Sequence, residues 1–321
     1  QNEARPATQF AYTQGSLSPR SDIWSMIAEV DTALLRQELQ VLEDYGTRNA
    51  YSAEAVLAQG YIYDYYVNLG LDVELHDFSM PGGQASDNVI ATLTGTVYPD
   101  EYVVLGGHYD SYSFSGDAPG ADDNASGTVA LIEIAEAFKK EKKTPRRSIG
   151  ILWVSAEEVG LFGSEYFSNK PLVQRKNIAA VINLDMVGRT KTREDELSDR
   201  SGLTIQGGDS VKVIGGLQSK VLMEINESSL EEMGLTGNYE YNNLEDPNRY
   251  FYRSDHINFA RKDIPVLFYS TGTHKDYHKI SDEEALIDYD KFLKMTRFSF
   301  KTGFNVAQYG DPIEVDHPMS T

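Results

Sequence analysis

No cysteine occurs among the 321 residues. Disulfides and thiolate ligands are therefore excluded, and any metal must be held by oxygen and nitrogen donors. Basic charge is also scarce: 29 lysines and arginines stand against 49 aspartates and glutamates, a formal net charge of −20. Binding to a phosphate backbone needs a basic surface, so nucleic acid is not expected as a partner. No apolar run approaches the ~18–20 residues of a transmembrane helix, so no membrane span is expected. There is no Gly-x-Ser-x-Gly elbow, which removes the best support for a serine hydrolase. Internal repeats and low-complexity tracts are missing too. With 40% hydrophobic and 24% charged residues, the chain can build a sizeable core and does not read as disordered.

The chain begins at Gln1, and residues 1–21 are polar, with Pro6 and Pro19. This predicts an extended N-terminal segment over 1–21 followed by one domain over 22–321. Such a start is what remains when a leader has been removed, so a periplasmic or secreted location is expected. The sequence sets no oligomeric state.

Beyond that segment, helices come first. Trp24, Ile27, Leu34, Leu35, Leu39 and Leu42 approximate a helical stripe over 22–44. Ser52 is a good N-cap for a second helix, which Gly70 stops after Leu69. Its tyrosines, Tyr61, Tyr63, Tyr65 and Tyr66, read as core and rim packing. Strands are predicted over 71–78, 88–94, 101–107, 148–155, 178–184, 202–206 and 264–269. Helices are predicted between and after them, over 126–140, 160–169, 211–233, 255–261 and 283–307. Within 126–140 the apolar set Leu131, Ile134, Ala135 and Phe138 is spaced i, i+3, i+4, i+7. Strands alternating with helices imply βαβ crossovers, hence a single-domain α/β fold: a doubly wound, mixed but mainly parallel sheet with helices on both faces. The polar, aperiodic stretch 189–201 reads as a solvated loop.

The chemistry gathers at strand ends. Val103-Val104-Leu105-Gly106-Gly107 runs into His108-Tyr109-Asp110, and Gly120-Ala121-Asp122-Asp123-Asn124-Ala125-Ser126-Gly127 follows. The apolar run 149–154 ends near Glu157-Glu158, Val181-Ile182-Asn183-Leu184 ends on Asp185, and Tyr277-His278 comes late. Taken singly, each has a plainer explanation. His108 and Asp110 could be a surface histidine beside a turn aspartate, and Asp122-Asp123 could cap a helix, where acids are favoured. Together they are harder to dismiss. Acids and imidazoles at the carboxyl edge of a parallel sheet lie where open α/β folds keep their sites. His108 and Asp110, at i and i+2, share a face. Glu157 and Glu158 point oppositely, so one can ligate while the other serves as a base. Buried acids are costly unless paired or metal-bound. A thiolate-free, carboxylate-rich set suits two close divalent ions with a bridging carboxylate. The chain reads as a metal-dependent hydrolase.

The segments GGHYDS, PGADDNASG, AEEVGLFGS, NLDMVG, SDHINFA and DYHKISDE resemble, in order, the motif series of the co-catalytic di-zinc aminopeptidases. That group includes bacterial leucyl aminopeptidase and, more distantly, glutamate carboxypeptidases and glutaminyl cyclases; the likeness spans residues 87–305. It implies a zinc-exopeptidase fold and two zinc ions held by His108, Asp123, Glu158, Asp185 and His278, with Asp123 bridging. It implies Glu157 as general base and Asp110 as the carboxylate orienting His108. It implies a cis peptide at Asp123–Asn124, and Tyr277 as a group polarising the scissile carbonyl. Peptides with a free N-terminus are the implied substrates. Asp255 and His256 take a supporting role, while His76, His274 and His317 have no motif support and read as structural or exposed. The aromatic loop 238–253, with Tyr239, Tyr241, Tyr250, Phe251 and Tyr252, is expected to line the specificity pocket. Three rivals stand beside the aminopeptidase: a single-zinc glutaminyl cyclase, an inactive binding module, and a carboxypeptidase for acidic residues. The last would want basic residues in its pocket, for which Arg249 and Arg253 are the near candidates.

Overall fold

The computed structural model describes residues 21–141, 143–197 and 203–319. The extended segment expected over 1–21 lies outside the described residues apart from its last residue. Two helices, α1 (Ser21–Ala28) and α2 (Thr32–Glu43), stand where the apolar spacing predicts one. The break is made by Asp31, whose backbone is extended and whose carboxylate accepts from the N–H groups of Ala33 and Leu34. Helix α3 (Ala53–Asn68) starts from Ser52 as predicted. Then come β1 (Asp72–Ser79), β2 (Ala85–Leu93), β3 (Tyr98–His108), α4 (Gly127–Glu141), β4 (Arg147–Val154), α5 (Phe162–Asn169) and β5 (Ile178–Leu184), in the expected order.

The expectations fail in part beyond β5. The solvated loop expected over 189–201 contains a short helix, α6 (Arg193–Leu197), started by a reciprocal cap between Thr192 and Asp195. Asp195 is buried and also accepts the Lys275 N–H, so this segment is docked. The described residues 203–206 form no strand; Thr204 and Gln206 donate their N–H groups to the carbonyls of Thr273 and Thr271. The helix expected over 211–233 is a strand, β6 (Ser210–Gly215), followed by α7 (Lys220–Met233). Gly215 and Gly216, at φ 109° and 70°, make the turn, and Ser219 caps the helix. A short β7 (Thr236–Asn238), α8 (His256–Ala260), β8 (Val266–Ser270) and α9 (Tyr289–Gln308) complete the chain, α9 beginning at the N-cap Asp288 rather than at 283.

The eight strands form one sheet in the order β1-β2-β4-β3-β5-β8-β6-β7. The centre, β4-β3-β5-β8, is parallel; β1, β2 and β6 join antiparallel, and β7 pairs parallel with β6. Alternation along β4 divides the core. Ile149, Ile151 and Trp153 pack with the layer built by α4 and α9, while Leu152 and Val154 pack against α5 and α8. Helices thus cover both faces, and β3, β4 and β5 end side by side at one edge. No helix among the described residues is long and apolar enough to cross a membrane.

Candidate metal centre

His108 closes β3, and its ring is fully buried. Nδ1 donates to the Asp110 main-chain carbonyl at 3.1 Å. That leaves the Nε2 lone pair aimed at carboxylates, 3.4 Å from Asp123 Oδ1 and 3.5 Å from Asp185 Oδ1. The Asp110 carboxylate lies 3.6 Å from Nδ1, and its two oxygens accept the N–H groups of Glu157 and Glu158. Asp110 therefore meets His108 chiefly through its main chain, and its side chain fixes the end of β4 where both glutamates sit.

Past β4 the chain turns through Ala156, at φ 61°, and the two glutamates diverge. Glu157 gathers with His108 and Asp185, and Glu158 with Asp123 and His278; within each group the donor atoms lie within 4.8 Å of one another. His278 Nε2 is 2.8 Å from Glu158 Oε2 and 3.1 Å from Asp123 Oδ2. Asp123 thus reaches one histidine with each carboxylate oxygen. Geometry alone also gives Glu157 a place among the donors of the first group. Two more non-glycine residues with left-handed backbone flank the site, Met186 at φ 58° and His278 itself at 55°. Such conformations cost of order 1–3 kcal/mol each and persist where the surroundings over-determine them.

The loop carrying Asp123 is held on all sides, and the Asp123–Asn124 peptide is cis. Asn124 donates to the Leu184 carbonyl and accepts from Gly127 N and Met186 N, tying the loop to the end of β5. Asp122 accepts the Gly188 N–H at 2.7 Å and faces His274 Nε2 at 3.2 Å. Asp282 accepts the N–H groups of both Asp122 and Asp123. Ser254 donates to Asp185 Oδ2 at 2.7 Å while accepting from Asn183. Arg48, fully buried, donates to the carbonyls of Leu42, Tyr109, Pro119 and Gly120, clamping the two acid-bearing loops together. Arg48→Met should therefore lower unfolding free energy by at least about 3 kcal/mol, because several buried carbonyls lose their partner at once. Urea denaturation measures this, and a change below 1 kcal/mol, on the order of one ordinary hydrogen bond, would show the clamp to be dispensable.

Of the residues singled out in the sequence, His108, Asp123, Glu157, Glu158, Asp185 and His278 converge, and Tyr277 stacks on the His278 ring at 3.8 Å while facing the same cleft. His256 donates to the Phe251 carbonyl and stacks on Phe268, and burial holds it neutral, pushed down to about 3. His76 packs between Tyr166 and Phe167, and His317 is exposed. His274 is more than structural filler, since it braces Asp122. Its partner lies far away in sequence, and no spacing signals the pair. Arg48, Asp282 and Ser254 were missed for the same reason. Of the aromatic residues singled out in the loop, Tyr250 lines the cleft, where Arg253 joins it; Phe251 is buried and Tyr239 turns away to accept a hydrogen bond from Asn226.

The electrostatics are those of a site built for cations. Burial, with Asp255, Glu158 and Asp185 adding to it, holds the Glu157 carboxyl well above the usual range despite the opposing pull of His108. Burial and Asp123 push Glu158 up to about 8, and burial pushes Asp255 up to about 7. Burial opposes ionisation of Asp123 too, but His108 and His278 outweigh it and hold the group below its ordinary value. Four buried atoms in this space, His108 Nε2, Glu158 Oε1, Asp185 Oδ1 and His278 Nε2, make no hydrogen bond of good geometry among the described residues, close as the carboxylates stand to the two imidazoles. Buried polar atoms are seldom left so, and crowded acids facing imidazole lone pairs are neutralised by a metal ion better than by protons. The donor set fits divalent metal.

An open cleft leads from these groups, with Tyr277 and Ile214 among its walls. The structure is similar to LapB of Legionella pneumophila (TM-score 0.75, 22% identity, 92% of this chain and 77% of that one) and to BSAP, a zinc aminopeptidase from Bacillus subtilis (TM-score 0.69, 16% identity, 85% and 94%). In sequence it is 42% identical over 116 residues to a probable zinc metalloprotease of Pyrenophora teres f. teres, covering 35% of this chain and 24% of that protein. It is 29% identical over 183 residues to leucine aminopeptidase 1 of Metarhizium robertsii, covering 54% and 46%. The chain thus spans less than half the length of these curated relatives. The pattern of Peptidase family M28 matches residues 88–302. That match takes in the central strands β3, β4, β5 and β8 together with both donor groups, and so the chain belongs to Peptidase family M28.

Proposed function

We propose that this chain is a zinc-dependent aminopeptidase that hydrolyses the N-terminal bond of peptides. The observation that carries the reading is the pair of donor groups meeting at Asp123. One zinc ion is assigned to His108, Asp185 and Asp123, and a second to Glu158, His278 and Asp123. Family membership and the zinc named in several relatives support that metal. Bound zinc supplies Lewis acidity and lowers the pKa of water towards neutrality. Glu157, held by the Asp110 carboxylate through its N–H, takes the proton of the attacking water and returns it to the leaving amine. Tyr277 places its hydroxyl towards the scissile carbonyl from its stack on His278. The acidic floor receives the substrate's α-ammonium group, which makes the enzyme an exopeptidase acting from the N-terminus.

Metal content tests this together with turnover. The protein should bind two zinc ions per chain, hydrolyse aminoacyl anilides, lose that activity to a chelator and regain it with added zinc. One ion per chain at saturating zinc, with pyroglutamate formation from N-terminal glutamine, would transfer the protein to the cyclases.

A further inference from the structure

The cleft has a cationic side that the chemistry above does not use. Alternation along β6 turns Val211 and Val213 into the core and leaves Lys212 and Ile214 on the cleft side, where the register pairs Lys212 with Ser270 and Ile214 with Phe268. A lysine thus occupies a position on a buried strand where an apolar residue would cost nothing. Its side chain is 3% exposed and hydrogen-bonds the Thr204 hydroxyl, and its ammonium lies 4.3 and 5.0 Å from the ring centres of Tyr241 and Tyr250. Among the described residues Lys212 forms no ion pair. Glu240 and Asp246 act on it only from a distance, and burial pushes it down to about 7. A buried cation without a counter-ion is expensive unless something supplies one. Arg253 lines the same cleft, its guanidinium 4.3 Å from the Tyr250 ring centre and anchored on the Asn248 carbonyl. Strand β6 lies two strands from β5, about 10 Å at ~4.8 Å per strand, which is the scale of a small zwitterionic substrate.

We propose that Lys212 and Arg253 form a carboxylate-binding subsite, so that the cleft selects substrates with an ammonium group at one end and a carboxylate at the other. Two sources supply that chemistry: the side chain of an acidic N-terminal residue, or the terminal carboxylate of a dipeptide. The assignment rests on the aminopeptidase reading for its orientation, with the α-ammonium at the acidic floor. Tyr250 lies under both cations and sets their spacing.

The test uses zinc-loaded protein, wild type and the variants Lys212→Met, Lys212→Arg and Arg253→Gln. Glutamyl anilide is compared with glutaminyl anilide, and Leu-Gly with its C-terminal amide. Wild type should favour the charged member of one pair in kcat/KM, and the pair that responds identifies the source. Lys212→Met should lower that charged-to-neutral ratio by at least about thirtyfold, as truncating one partner of a buried charge pair does, while Lys212→Arg keeps most of it. No preference in either pair, with leucyl anilide still turned over, overturns the subsite and leaves the aminopeptidase standing. No turnover of any anilide by two-zinc protein overturns the aminopeptidase instead. Calorimetric titration with L-glutamate and L-glutamine then decides the subsite, and equal affinities would remove it. Should Lys212→Met not fold, the exposed Arg253→Gln decides, and an unchanged ratio overturns the assignment.

Discussion

Glu157→Gln is expected to keep both metal ions and lose turnover by ~10²–10⁴-fold, the usual contribution of a general base. Amide and carboxylate have nearly the same shape, so the Glu157 N–H should stay on Asp110 and the end of β4 should not move. What disappears is the ability to hold a proton between attack and departure. That loss falls on the transition state, so kcat should drop while KM changes little. The competing possibility is concrete, because the Glu157 carboxylate lies among the donors of His108 and Asp185. If it ligates, Glu157→Gln should release metal and excess zinc should restore part of the activity. Glu158→Gln is the matched control. It removes charge from a carboxylate 2.8 Å from His278 and should lower metal occupancy. Metal analysis of the two variants side by side separates base from ligand, and metal loss in Glu157→Gln alone would exchange their roles.

How much of this was legible before the structure depends on whether a signal was local. A strand buried on both faces is a continuous apolar run, and such a run stopping on an acid or imidazole is visible in one dimension. That is why β3, β4 and β5 and the groups at their ends could be placed from the sequence, and why the doubly wound sheet followed from the order of elements. Strand β6 was hidden because Val211-Lys212-Val213-Ile214 is short and runs, after a brief glycine turn, into the apolar pattern of α7. Reading both as one helix concealed the alternation of the strand, and with it the cation that Lys212 brings to the cleft. The break between α1 and α2 was written in Asp31, a good N-cap, but the apolar spacing continues across it. His274 with Asp122, Arg48 with four carbonyls and Ser254 with Asp185 were illegible for a different reason. Each joins residues distant in sequence, so neither partner alone carries any signal, and a buried polar residue shows its purpose only once its partner is in place.

Asp123→Ala should abolish binding of both metals, whereas His108→Ala should mainly weaken one. Asp123 faces His108 with Oδ1 and His278 with Oδ2, so it touches both donor groups at once. The fold should survive the change. The loop is held by Asp122 on Gly188, by Asn124 on Leu184 and by Asp282 on the Asp123 N–H, and alanine keeps all three. Because His108 and His278 hold the Asp123 carboxylate below its ordinary value, its loss should cost the metal-free protein a little stability without unfolding it. Metal should then stabilise the wild type and leave the variant unaffected. A ligand present at 100 times its dissociation constant stabilises the wild-type fold by about 2.7 kcal/mol for each such site. Adding zinc should therefore raise the wild-type melting temperature by several degrees and leave that of Asp123→Ala unmoved, with activity at background. A zinc-dependent shift retained in Asp123→Ala, or two ions still bound per chain, would mean that the two donor groups are independent sites and that Asp123 does not bridge them. His108→Ala supplies the intermediate case, since its loss leaves Glu158, His278 and Asp123 intact, and one ion should remain.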